Sequence, residues 1–216
     1  IMPSLVGSEM CIRDSITDVS NIGDNGAILK SSDRRSQYAL ANRLWHTDAS
    51  FESPRGKYSL LSARIVPEQG GSTEYADMRS AYDELDLDTK AIISELKAHH
   101  SIAYSRERLG FEFKANEREI LYGTAYPIAD LNQRTGRTAL YLAAHASHIV
   151  DWPIPDGRLL IQDLIEHAVD RKFVYTHQWK AHDLVIWDNL TTMHRGRPYA
   201  CYTDKREMRR VTTLDC

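Results

Sequence analysis

Cysteine is scarce in this chain. Cys11, Cys201 and Cys216 are the three thiols in 216 residues, widely separated and without a CxxC pair. That excludes a disulfide framework and a thiolate zinc site, and it suits a reducing cytoplasm. Long apolar runs are missing too: no stretch approaches the roughly 18–20 residues of a membrane span. There is no basic excess to hold a polyanion, with 27 Lys+Arg against 30 Asp+Glu and a net charge of −3, so nucleic acid is a poor partner. Internal repeats, low-complexity tracts and Pro/Gly/Ser linkers are absent after Ile16, which leaves one domain as the simplest organisation.

The opening fifteen residues stand apart. Ile1–Ser15 reads IMPSLVGSEMCIRDS, with neither the basic start nor the sustained apolar core of a signal peptide. Glu9–Asp14 back-translates naturally to GAG ATG TGT ATA AGA GAC, the sense of a transposon-end adapter used in sequencing libraries. Residues 1–15 are therefore expected to be adapter-derived, and 16–216 to be one native domain that is incomplete at its N-terminus.

Local periodicity gives the elements. Tyr58–Val66 is a β-like run stopped by Pro67 and Gly70-Gly71, and Ser72–Tyr75 resumes as a second strand. Met78–Leu85 and Asp88–Ala98 carry apolar residues at helical spacing, with Asp86 or Asp88 as a cap. Asn132–Leu142 reads as two strands around a turn at Thr135-Gly136. Gly157–Val169 is an amphipathic helix, and Phe173–Trp179, Asp183–Asp188 and Arg209–Leu214 are half-buried strands. Strands around one helical insert favour a mainly β domain, a barrel or jelly roll, over an alternating βαβ sheet.

One constellation carries chemistry. In Trp45-His46-Thr47-Asp48 the imidazole and the carboxylate stand two apart, and on a strand they would share a face and could bind one metal. Downstream, Trp187-Asp188-Asn189 is followed by His194, and Arg206, Arg209 and Arg210 come after it. Two His and one carboxylate with open positions is the arrangement of non-haem Fe(II) oxygenases. An arginine's planar fork suits the distal carboxylate of their co-substrate, 2-oxoglutarate. In a strand-like run Arg206 and Arg210 share a face while Arg209 points away. His99, His100, His145, His148, His167, His177 and His182 have no motif partner and read as surface, capping or satisfied core residues. Trp152 and Trp179 read as packing, and Arg195 and Arg197 as a solvated face.

Across residues 40–214 the blocks NRLWHTDASF, KYSLLSARIV, GGSTEYADMRSAYDEL, YSRERLGF, FVYTHQWKAHDLVIWDN, MHR and REMRRVT make the sequence recognisable. It resembles the taurine dioxygenase superfamily of Fe(II)/2-oxoglutarate enzymes, most closely its 2,4-dichlorophenoxyacetate dioxygenase branch. The resemblance implies a double-stranded β-helix (jelly roll) with a helical insert. It implies His46, Asp48 and His194 as iron ligands, Thr73 and Arg206 as the hold on 2-oxoglutarate, and Arg210 as the partner of the substrate's acidic group. Asn42 and Ser105 would line the substrate pocket, with Trp187 as an aromatic wall. The implied cofactors are Fe(II), 2-oxoglutarate and O2. The implied reaction is hydroxylation of a small organic acid, including cleavage of an aryloxyacetate-type ether, with release of succinate and CO2. Related halogenases lack the carboxylate, so Asp48 favours hydroxylation. A sulfonate substrate for the same machinery, and a non-catalytic jelly-roll binding protein, are the alternatives. A homo-oligomer in the cytoplasm, binding neither nucleic acid nor membrane, completes the expectation.

Overall fold

The computed structural model describes residues 16–118 and 121–215; the adapter reading of residues 1–15 lies outside them. In chain order come β1 (Thr17–Ser20), α1 (Arg34–Ala39) with a 3-10 turn at Leu40–Arg43, β2 (Gly56–Ile65), β3 (Thr73–Asp77), α2 (Met78–Asp83), α3 (Leu87–Ile93), β4 (Lys97–His100), α4 (Ile102–Glu107) and α5 (Ala115–Arg118). Then follow β5 (Thr124–Pro127), β6 (Ala129–Asn132), β7 (Arg137–Leu140), β8 (Ala146–Ile149), α6 (Ile154–Ala168), β9 (Val174–His177), β10 (Leu184–Asp188), β11 (Thr192–Gly196) and β12 (Glu207–Leu214).

Two antiparallel sheets form the jelly roll. One runs β1-β12-β2-β10 and the other β11-β3-β9. Between them Leu61, Ala63, Tyr75, Trp187 and Met208 form a small buried cluster. These residues come from β2, β3, β10 and β12, and inward side chains alternate along β2 as a half-buried strand requires. The neighbouring Ala76 on β3 is buried on the opposite face, in the larger core with Met78, Ala81, Ile93, Leu140, Ile161, Leu164 and Phe173. The helical insert therefore covers the outside of the β11-β3-β9 sheet.

Most sequence expectations hold. The turn between β6 and β7 is set by Asn132, whose Oδ1 accepts from the Arg134 and Thr135 amides, and by Gly136 at φ 69°. Asp86 caps α3 by accepting from the Thr89 amide at 2.7 Å. α6 starts earlier than expected, at Ile154, with Pro155 in its first turn. The helix expected through Ala98 ends at Ile93 instead. Beyond it Ala98 and His100 are buried while Lys97 and His99 are not, a period of two that belongs to β4. Among the described residues no helix is long and apolar enough to cross a membrane.

His100 corrects the expectation of a satisfied core histidine. It is fully buried between β5 and β8, its ring 5.4 Å from that of Tyr141, and among the described residues neither ring nitrogen has a hydrogen-bond partner. Burial, with His99 and Arg55 adding repulsion, pushes its pKa down to about 3. Above the unfolded value near 6.5 both states are neutral and the group adds no pH dependence. Below it the unfolded chain takes up a proton that the fold refuses, so stability falls with pH down to about 3, by at most about 1.4 kcal/mol per unit. Replacing His100 with Phe should flatten the loss of thermal stability of the metal-free protein between pH 7 and 5. Equal slopes for the two proteins would remove His100 from this account.

Candidate metal and co-substrate centre

His46, Asp48 and His194 converge. One donor atom from each lies within 4.8 Å of the others, and all three side chains are buried. The strand expected for His46 and Asp48 is corrected: His46 forms a single β-bridge with His194, and Asp48 already belongs to a turn. The bridge has two backbone bonds, from the His46 amide to the His194 carbonyl at 3.0 Å and from the His194 amide to the His46 carbonyl at 2.7 Å. It holds the rings with centroids 4.2 Å apart. The turn follows from Ala49, held at φ 53°, and from Gly56. A Cβ on Gly56 would come within 2.5 Å of the Asp48 carbonyl oxygen, so only glycine lets β2 run this close.

The donor set fits a divalent transition metal. His46 Nδ1 donates to the Leu44 carbonyl at 2.7 Å, which fixes the tautomer and leaves Nε2 with a lone pair facing Asp48. Burial and the neighbouring His46 push His194 down to about 3, so both imidazoles are neutral near pH 7. Burial opposes charge on Asp48 as well, but Arg210, His194, His46 and the Ser59 hydroxyl outweigh it and hold the carboxyl well below the usual range. Two neutral imidazoles and a carboxylate converging on one point match the ligand chemistry of non-haem iron.

Asn189, within the Trp-Asp-Asn motif, anchors this half of the site and was not singled out from sequence. Its Oδ1 accepts from the Asp48 amide at 3.1 Å and from Trp187 Nε1 at 2.9 Å, and its Nδ2 donates to Ser59 Oγ at 2.8 Å. Ser59 Oγ in turn donates to Asp48 Oδ2 at 2.7 Å. An asparagine between two strands of apolar residues is the signal that could have found it.

The remaining expected residues sort by position. Arg210 meets Asp48 Oδ1 at 2.5 Å, with further donors of its fork available to a carboxylate. Trp187 stands 4.6 Å from the His194 ring, centroid to centroid. Thr73 is buried, and its Oγ1 accepts from the Nε1 of Trp179, which packs against the cluster between the sheets as expected, at 2.9 Å. Arg206 is half-buried, with its Nε shielded from solvent and unpartnered among the described residues and its guanidinium 5.9 Å from the Tyr199 ring centre. Tyr75 neighbours both Thr73 and Arg206. A half-buried guanidinium with no counter-ion among the described residues, sharing a tyrosine neighbour with a buried hydroxyl, fits a carboxylate ligand. Arg209 turns away, to Asp18 and Glu207, and Arg195 pairs with Glu74 at 2.7 Å rather than standing free in solvent. Ser105 is fully buried; its Oγ donates to the Ile102 carbonyl and accepts from Arg106. Asn42 lies half-buried on the 3-10 turn with its carbonyl behind Gly196. His145, read from sequence as bland, packs beside His46 with ring centroids 6.0 Å apart.

Comparison with known proteins agrees with this geometry. The profile of the taurine catabolism dioxygenase TauD, TfdA family matches residues 10–212. The chain belongs to this family. It is a 2-oxoglutarate-dependent dioxygenase by class. An alpha-ketoglutarate-dependent 2,4-dichlorophenoxyacetate dioxygenase of Burkholderia sp. strain RASC is 43% identical over 200 residues, covering 92% of this chain and 67% of the relative. An (S)-phenoxypropionate/alpha-ketoglutarate-dioxygenase of Sphingobium herbicidovorans is 35% identical over 199 residues, covering 88% of this chain and 69% of the relative. The crystal structure of AAD-2 with Mn(II) and N-oxalylglycine superposes with a TM-score of 0.89 at 46% identity, covering 93% of this chain and 73% of that one. The chain thus spans about two thirds of the length of these curated relatives.

Removing a group that orients a metal ligand commonly costs 10- to 100-fold in affinity. Asn189→Ala should weaken Mn(II) or Co(II) binding by about that factor while the protein stays folded. An unchanged metal titration would show that Asn189 serves the fold alone.

Proposed function

We propose that this dioxygenase hydroxylates an aryloxyalkanoic acid on the carbon that carries the ether oxygen. The convergence of His46, Asp48 and His194 beside Arg210 is the observation that carries this reading. His46, Asp48 and His194 hold Fe(II), and Thr73 and Arg206 hold the distal carboxylate of 2-oxoglutarate. With O2, such a centre supplies the oxidation, one oxygen atom entering a substrate C–H bond as 2-oxoglutarate leaves as succinate and CO2. The product is a hemiacetal, which falls apart to a phenol or alcohol and an oxo acid.

The protein's own part is positioning and exclusion of water. Arg210 supplies N–H donors to the substrate carboxylate next to Asp48, which fixes the carbon presented to the centre. Trp187 walls one side. Asn42 and Ser105 line the pocket, Ser105 acting through Arg106. Trp179 keeps an N–H on Thr73 Oγ1, so that the hydroxyl proton is left to point at a ligand oxygen. The substrates of the relatives support an aryloxy acid over a sulfonate. The same reading takes the enzyme as a homo-oligomer of the cytoplasm, which the family resemblance and the scarcity of cysteine support.

Succinate formation by the full-length protein across aryloxyacetates, aryloxypropionates, alkyl acids and sulfonates tests the reading. Aryloxy acids should be turned over best, and a clear preference for sulfonates would overturn the assignment. Anaerobic addition of Fe(II) and 2-oxoglutarate should give a weak visible charge-transfer band that is lost in His46→Ala and kept in His99→Ala. Arg206→Ala should raise the KM for 2-oxoglutarate at least tenfold while Arg210→Ala acts on the KM for the acid.

A further inference from the structure

Arg206 stands where the ladders of its sheet run out. β12 begins one residue later, at Glu207, which pairs with Ser20 on β1 and with Ile65, the last residue of β2. Among the described residues both main-chain hydrogen bonds of Arg206 go to Asn21. The Arg206 amide donates to Asn21 Oδ1 at 2.8 Å, and the Asn21 amide donates to the Arg206 carbonyl at 3.2 Å. The guanidinium is half-buried with Nε unpartnered, and no ion pair among the described residues aims it. Its reach is therefore set by the backbone that carries it.

Asn21 also holds the chain that leads into Arg206. Its Nδ2 donates to the Cys201 carbonyl at 2.7 Å and to the Asp204 carbonyl at 2.8 Å. Arg43 Nη2 lies 3.7 Å from Cys201 Sγ; otherwise, among the described residues, 200–205 are hydrogen-bonded within their own loop. These partners decide the orientation of the Asn21 amide. Two carbonyls need donors and an N–H needs an acceptor, so a flipped amide would set oxygen against oxygen and N–H against N–H. Asn21 is fixed in turn, since its own carbonyl accepts from the Leu29 amide at 2.8 Å, next to the bridge between Ile22 and Ile28.

We propose that Asn21 is a positioning residue for 2-oxoglutarate: it fixes the backbone of Arg206, and with it the reach of the guanidinium to the distal carboxylate, without touching the ligand itself. The role rests on the reading of Arg206 as the hold on 2-oxoglutarate. It separates the two arginines of the site. Arg210, four residues on, is paired with Thr17 on one side and Leu61 on the other, so the ladders fix it without Asn21. Because a bond to a carboxylate depends on where its donors stand, losing Asn21 weakens the hold on 2-oxoglutarate and spares that on the acid.

Hydrogen exchange in the full-length, metal-free protein tests the clamp without turnover. The Arg206 amide should be protected in the wild type and exchange at least tenfold faster in Asn21→Ala, with the β12 ladder from Met208 onward unchanged. An unprotected Arg206 amide in the wild type overturns the proposal. Steady-state kinetics tests the consequence. Asn21→Ala should raise the KM for 2-oxoglutarate about fivefold, with kcat and the KM for the acid unchanged. An unchanged KM for 2-oxoglutarate, or an equal rise for the acid, overturns the role. Val19→Ala loosens the same strand by trimming a side chain packed against the cluster between the sheets, and it should leave both KM values alone; a rise equal to that of Asn21→Ala reduces Asn21 to a part of the strand and overturns the proposal. In an Arg206→Ala background Asn21→Ala should add nothing, and a further fivefold loss counts against it. Should Asn21→Ala not fold, Asn21→Asp, which keeps the acceptor and gives up both donors, decides by the same KM comparison. An Arg206→Ala protein with unchanged KM for 2-oxoglutarate shows that the reading of Arg206 has failed; a raised KM there beside an unchanged one in Asn21→Ala shows that the proposal has.

Discussion

Two backbone hydrogen bonds between His46 and His194 set the geometry of everything else in the site. They join segments almost 150 residues apart and bring the imidazoles ring to ring before any metal is bound. Closing so long a loop costs only logarithmically more than closing a short one, and the jelly roll meets that cost through the β11-β3 ladder and the core beneath it. With the bridge in place, Asp48 needs only a tight turn to reach the same point. Ala49 in the left-handed region and the close approach of Gly56 provide it. A left-handed alanine costs of order 1 kcal/mol or more, and it is tolerated here because the surrounding hydrogen bonds over-determine the turn.

Charge is distributed unevenly around this point. Asp48 is a buried carboxylate that would be costly alone, and it is offset by Arg210, the Ser59 hydroxyl and its own amide on Asn189. The two histidines are buried and neutral, as ligands must be. Arg106, buried, and Arg206, half-buried, by contrast meet hydroxyl, imidazole and aromatic groups and, among the described residues, pair with no carboxylate. A protein that spends stability to bury unpaired guanidinium groups has prepared places for anions or for acceptor oxygens.

The ligand triad was legible because its parts carry local signatures: His and Asp two apart, Trp-Asp-Asn ahead of a His, and arginines spaced to share a face. The strand framework was legible for the same reason, through period-two runs and Gly or Pro stops. The inferred alignment of His46 with Asp48 was right in its outcome and wrong in its cause, since a turn and not a strand makes the two converge. His145, Arg106 and the bond from Trp179 to Thr73 were missed because nothing near them in sequence announces their partners. Arg106 sits on a six-residue helix, His145 precedes a short strand, and Ser50 lies in a loop. Their meeting depends on how the helical insert docks on the sheets, which periodicity does not specify.

That division has a physical consequence for specificity. Of the residues assigned to iron and 2-oxoglutarate, Thr73 and His194 stand on β3 and β11, His46 on the bridge to β11, Asp48 in the turn after it and Arg206 at the entry to β12, while Arg210, assigned to the acid, stands within the β12 ladder. Arg106 and His145, by contrast, belong to α4 and to the segment before β8, and are joined to the rest by side-chain hydrogen bonds to Ser105, Ser50 and each other and by the Ser101 amide. His145 packs beside His46, with ring centroids 6.0 Å apart, so substitutions in the second group bear on the first through side-chain packing and not through a ladder. The iron site and Arg210 are thus anchored on backbone pairing, and the groups packed around them on side-chain hydrogen bonds that can be rewritten one residue at a time.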